Sequence, residues 1–173
     1  MRRQIIAGVI ATGVVTGAAF AQSAKPSDPE IAHIAYTAGA LDVEAAKQAL
    51  AKSRNPLVRS FAEEMLRDHE AVNRQALDLC KTLNVTPADN DTSKSLTKAA
   101  ADTRAKLATL DGAAFDRAYV ANEIAYHKTV NGALATVLIP SSSNAELRKL
   151  LQTGLKLFQG HELHAEHTAA QLK

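Results

Sequence analysis

The chain has 173 residues, with 20 Lys and Arg against 18 Asp and Glu, 46% hydrophobic and 22% charged residues. That length suits one domain or two, and that balance excludes a wholly disordered chain. A single Cys excludes an intramolecular disulfide framework and a cysteine-based zinc finger or iron–sulfur site, and the absence of Trp, with only four Phe and three Tyr, argues against a stacking surface for single-stranded nucleic acid.

Met1-Arg2-Arg3-Gln4 is a short positive stretch, Ile5 to Phe20 is apolar or small, and Ala19-Phe20-Ala21 is a small-x-small cleavage pattern. These features predict a secretory signal peptide over 1–21, a flexible segment over 22–28 and a helical domain over 29–173. The apolar run is shorter than a membrane-spanning helix needs, so no integral membrane segment is expected after cleavage. Cleavage removes Arg2 and Arg3 and no acid, so 18 basic and 18 acidic residues remain and the formal charge falls to zero. A nucleic-acid-binding or polybasic membrane surface is not supported by that balance. The expectation is a periplasmic protein, monomeric or weakly dimeric. Cys80 reads as a small buried hydrophobe, with an intermolecular disulfide or soft metal ligation as the alternative.

Beyond the signal, Ala, Leu, Lys, Glu and Gln predominate, and these are strong helix formers. Asp28-Pro29 reads as an N-cap followed by Pro at the first helical position, opening a helix to about Lys52. Asn55-Pro56 repeats that signal for a second helix to about Asn84. Val85 to Asp91, with Pro87, breaks the pattern, and residues 93–109 form a more polar helix. Asp111 caps the next helix, which runs to about Leu138, and Leu110 can staple against Phe115. Pro140-Ser141-Ser142-Ser143 ends it. Ser143 and Glu146 have capping-box spacing for a last helix that runs nearly to the C-terminus. Short connections make antiparallel neighbours, and the long middle one can cross the length of a bundle or cover one end. The predicted fold is all-α: a ferritin-like up-down four-helix bundle whose long crossover carries a short extra helix.

Each long helix carries one ligand-type residue on an otherwise apolar stripe. Asp42 interrupts Ile31, Ala35, Ala38, Ala45, Ala49, and His69 interrupts Val58, Ala62, Met65, Val72, Ala76. His127 lies with Val120, Ile124 and Leu134, and His161 with Leu151, Phe158 and Ala165. Counted from the end holding residues 53–55, these four differ in height by about 6 Å at 1.5 Å per residue. Side chains reaching inward can therefore meet. An isolated buried carboxylate is costly, and imidazoles or a metal relieve it. Asp42, His69, His127 and His161 are the candidate ligands of a single zinc, copper or iron ion. Glu44, Glu123 and His164 are second-tier candidates, although Glu44 lies about 200° from Asp42 around the helix. His167 is expected in solvent, and Glu63, Glu64 and Asp68 as a solvated face with one supporting acid at most. Only one helix supplies a carboxylate one turn before its His, which disfavours a conventional di-iron oxidase. No phosphate loop, nucleophile elbow or haem motif is present, so no catalytic role is assigned.

Several of these words also resemble a known family. Ala40-Leu41-Asp42-Val43-Glu44, Asn55-Pro56-Leu57-Val58-Arg59-Ser60-Phe61-Ala62 and Met65-Leu66-Arg67-Asp68-His69-Glu70-Ala71-Val72-Asn73 are similar to segments of the exported bacterial "domain of unknown function 4142" family. Gly112 to Tyr119, His127 and His161 extend the likeness from Ile31 to Leu172. The resemblance implies a ferritin-like bundle and leaves the biochemical role open. Asp42 stands where that family often has Glu, and Tyr126 where it often has Asp. Two functions stay open: a metal-binding envelope protein handling metal or oxidative stress, and a metal-free structural or interaction module with a buried His/Asp network.

Overall fold

The computed structural model describes residues 25–172. The expected signal peptide lies outside the described residues, as do 22–24 and Lys173. Helix α1 is Asp28–Lys52, α2 is Pro56–Thr82, α3 is Asp91–Ala108 and α4 is Gly112–Ala133. α4 continues through a π-helical turn, Leu134–Leu138, and a final α-turn, Ile139–Ser141. The last helix, α5, is Ala145–Gln171. No strand occurs among the described residues, and none of their helices is long and apolar enough to cross a membrane.

The helix starts follow their capping chemistry, with three local changes from expectation. Asn55 caps α2 as predicted, its side chain accepting from the Leu57 amide at 3.0 Å, with Pro56 behind it. Ser27, not Asp28, caps α1, in a capping box with Glu30. Asp28 is instead drawn across the bundle, where its carboxylate accepts from the Ser143 and Asn144 amides at 2.9 Å each and from the Ser143 hydroxyl. Burial alone would raise that carboxyl, but these donors outweigh it and hold it below the usual range. With Ser143 so engaged, Asn144 caps α5, accepting from the Glu146 and Leu147 amides at 2.9 Å. Asp111 stands at the N-cap of α4 without a capping bond, and its side chain pairs with Lys52 at 3.0 Å. Gly112, at φ +54°, makes the sharp entry into α4 in a region that strains other residues. At the far end Pro140 has no amide to donate one turn back, and the preceding turn widens, the Ile139 amide reaching Leu134.

Residues 53–55 fold α1 and α2 into one antiparallel hairpin, and residues 142–144 fold α4 and α5 into another. The crossover does not cap an end of the bundle. α3 runs alongside α1 in the same direction: the Ala88 amide donates to Pro29 and the Asn90 side chain to Glu30 near one end, while Gln48 reaches Arg104 and Lys52 reaches Ala108 near the other. Two apolar clusters result. Val58, Phe61, Met65, Phe115 and Tyr119 fill the half next to residues 53–55. Ile31, Ile34, Leu134, Leu138, Leu147 and Leu151 fill the other half. A buried polar layer separates them.

Candidate metal centre

That layer holds Asp42 of α1, His69 of α2, Glu123 and His127 of α4 and His161 of α5, each at most 3% exposed. All four first-rank residues therefore meet. Their convergence follows from one interruption per apolar stripe, placed at matching heights on the four long helices. Glu123 lies one turn before His127 and enters the same space, a stronger position than its second-tier rank implied. Glu44 does not enter: on the opposite side of α1 it is exposed and pairs with Lys47 at 3.2 Å. His164 is half-exposed outside the layer, bonded to Glu64 at 2.7 Å, and His167 is in solvent. Cys80 is buried among the residues lining an apolar cavity and joins no ligand group among the described residues.

The three imidazoles form a triangle, with ring centroids 5.7 Å apart for His69–His127, 5.3 Å for His69–His161 and 5.5 Å for His127–His161. One ring nitrogen of each lies within 4.8 Å of the other two, and ligand atoms of Asp42, Glu123 and His127 satisfy the same condition. His127 is common to both groups, and Asp42 Oδ2 lies 3.6 Å from His69 Nε2 and 3.7 Å from His127 Nε2. Two donors on one tetrahedral ion at bonds near 2.05 Å stand about 3.3 Å apart. Shifts of a few tenths of an ångström bring these atoms to that spacing.

Partners outside the cluster set which ring nitrogen is free. His127 Nδ1 donates to the Glu123 backbone carbonyl at 3.0 Å, leaving Nε2 as a lone pair facing Asp42. His161 Nε2 donates to Asp68 Oδ2 at 3.2 Å, leaving Nδ1 free. The Phe158 ring stacks on His69 at 4.6 Å and fixes its plane. Seven buried atoms here have no hydrogen-bond partner: both oxygens of Asp42, both nitrogens of His69, Glu123 Oε2, His127 Nε2 and His161 Nδ1. Each costs about 1–3 kcal/mol if left so. The set is rich in lone pairs and suits a cation.

Charge states agree with that. Burial lowers His69 to about 4, lowers His127 against the pull of Asp42, and together with His69 lowers His161. All three rings are thus neutral near pH 7, the form that binds metal. Burial raises Asp42 against its histidines, and burial plus Asp42 raise Glu123 further. Both carboxyls are therefore harder to ionise than free ones, Glu123 more so than Asp42, and a cation between them would offset both shifts.

Sequence reasoning missed two supporting groups, Phe158 and Tyr126, and anticipated a third, Asp68, only as one supporting acid among Glu63, Glu64 and Asp68. Asp68 and Phe158 are described above. Tyr126 donates its hydroxyl to the Ala38 carbonyl at 2.9 Å, clamping α4 onto α1 four residues from Asp42. From His69, His127 and Phe158 a narrow apolar cavity of about 50 Å³ extends between Ala35, Ala38, Val72, Ala76 and Gly154.

The sequence profile of the family described as "Domain of unknown function (DUF4142)" matches residues 14–168. No curated protein matches the chain, and no solved structure does. The chain belongs to that family.

Proposed function

We propose that this member of the family is an exported periplasmic protein that binds one zinc, copper or iron ion in the core of a ferritin-like bundle and serves metal or oxidative-stress handling in the envelope. The observation that carries the metal is the convergence of seven partnerless buried polar atoms from Asp42, His69, Glu123, His127 and His161. Neutral rings and two carboxylates match the charge a divalent ion brings. Two antiparallel hairpins joined by a lengthwise crossover support the ferritin-like assignment. The export signal over 1–21 and the zero charge after its removal support the location.

Elemental analysis of untagged protein from the periplasm, before and after reconstitution, tests the metal directly. The wild type should carry about one transition-metal ion per chain more than His69→Ala, the ion held by the buried centre. In thermal melts with free metal near a hundredfold its Kd, the wild type should gain about 2.7 kcal/mol over a chelated sample. His69→Ala should show a much smaller gap, and the exposed His167→Ala should behave as wild type. Equal responses of wild type and His69→Ala to metal and chelator would show that His69 is only a core histidine, and metal well below one per chain after reconstitution would favour the metal-free network instead.

A further inference from the structure

A second donor cluster lies just outside the buried layer, where α2 and α5 meet the surface. Glu64 and Asp68 are one turn apart on α2, and His161 and His164 are one turn apart on α5, so both pairs project toward the same seam. His161 Nε2 is 3.2 Å from Asp68 Oδ2, and His164 Nδ1 is 2.7 Å from Glu64 Oε2. Ligand atoms of Glu64, Asp68 and His161 all fall within 4.8 Å of one another. The side chains of Glu64, Asp68 and His164 are 31%, 18% and 40% exposed, so solvent reaches them. Arg67 holds Asp68 Oδ1 at 2.7 Å, leaving Oδ2 toward the cluster. Phe61, from the packed core, sets its ring edge-on to His164 at 5.2 Å and restrains that imidazole.

One imidazole and two carboxylates, with a second imidazole bonded to one of those carboxylates, are the donor mix of a borderline divalent cation rather than of calcium or magnesium. The cluster also shares a residue with the buried centre. His161 turns Nε2 outward to Asp68, and its partnerless Nδ1 lies in the interior beside His69 and His127. The buried ligands are 1–3% exposed, so an ion must pass a side chain to reach them. His161 is the ring that borders both sides.

We propose that Glu64, Asp68 and His161, with His164 orienting Glu64, form a surface site that captures a divalent transition-metal ion and passes it to the buried centre by way of His161, whose Nε2 proton leaves to solvent when Nε2 binds, so that with both sites filled the ring bridges the two ions as an imidazolate. Capture stands on the geometry of this cluster alone, and the transfer rests on the metal-binding reading of the core.

Cobalt(II) added to metal-free protein tests both parts, with calorimetry for stoichiometry and visible absorption for the filling rate. The wild type should bind two ions. Glu64→Gln/His164→Gln, at partly exposed positions that preserve the core, should bind one and fill it at least tenfold more slowly. His127→Ala should lose the buried ion and keep the outer one. His161→Ala should weaken both. A double variant that binds as many ions as wild type, at the same rate, overturns the proposal. A double variant that loses one ion but fills the other at wild-type rate overturns the transfer. If wild type binds one ion that the double variant loses and His127→Ala keeps, the buried centre falls while capture stands.

Discussion

The two halves of the bundle are built to different standards. Next to residues 53–55, Phe61, Phe115 and Tyr119 are fully buried, with Phe115 and Tyr119 rings parallel at 6.1 Å and Phe61 edge-on to Tyr119 at 6.2 Å. Met65 and Val58 close the gaps. On the other side of the polar layer the walls are Ala35, Ala38, Ala76 and Gly154, and the cavity runs between them. Gly39 belongs to that half, and a methyl there would collide with the Asn73 carboxamide, so α1 and α2 approach closely. Dense packing on one side fixes the height of the ligands. On the other side the cavity reaches His69 and His127, and the stacked Phe158 is what holds the His69 ring there. The contrast teaches that the polar layer is backed by packed aromatics on one face and by free space on the other.

Three experiments on chelated protein break or sharpen that contrast. Truncation gives the largest effect. Phe61→Ala should cost about 3–5 kcal/mol in denaturant unfolding, while Leu151→Ala, beside a cavity, should fall near 2 kcal/mol, the low end for its type. Similar losses at both sites would erase the distinction. The polar layer between the halves gives the next effect, through pH. The folded His69 titrates near 4 and the unfolded one near 6.5. Between those values the unfolded chain binds the proton and the folded one does not, so stability falls as pH drops from about 6.5 to 4. The shift corresponds to about 3 kcal/mol. Asp42 and Glu123, both raised by burial, take up protons in the folded state and act in the opposite sense. The difference between wild type and His69→Gln isolates the histidine, and should change by about 3 kcal/mol between pH 7 and 4. A difference independent of pH would show that the ring is not held neutral. Overfilling gives the smallest effect. Ala62→Val in the dense half should cost about 1–3 kcal/mol, and Ala38→Val beside the cavity should stay within about 1 kcal/mol. Reversed costs would place the free space on the wrong side.

Much of this was legible from residues near each other in the chain. Asn55-Pro56 was read correctly because its capping bond is local, and the burial of Asp42, His69, His127 and His161 in one layer was legible because each breaks an apolar stripe. What failed was decided at long range. Ser143 has capping-box spacing, but Asp28, 115 residues away, claims it. Asp111 looks like a capping side chain and is taken by Lys52. Glu64 and Asp68 looked solvated because their partners, His164 and His161, come from another hairpin. The π-helical turn before Pro140 also had no local pattern to announce it.

The run of the helices sends the two flanks of the chain to opposite poles. The first turn of α1 sits beside the Ser143–Asn144 turn, through Asp28, while Ala169 and Leu172 at the end of α5 pack against the cluster next to residues 53–55, as Leu50 and Leu110 do. α1 and α5 are therefore parallel, and the 27 residues of α5 span about 40 Å. Tension applied through the two flanks would load these helices in shear, spreading the force along the bundle instead of peeling one turn at a time. Asp28 and its three donors sit where that load enters, so they act as the anchor bolt of the molecule's long axis.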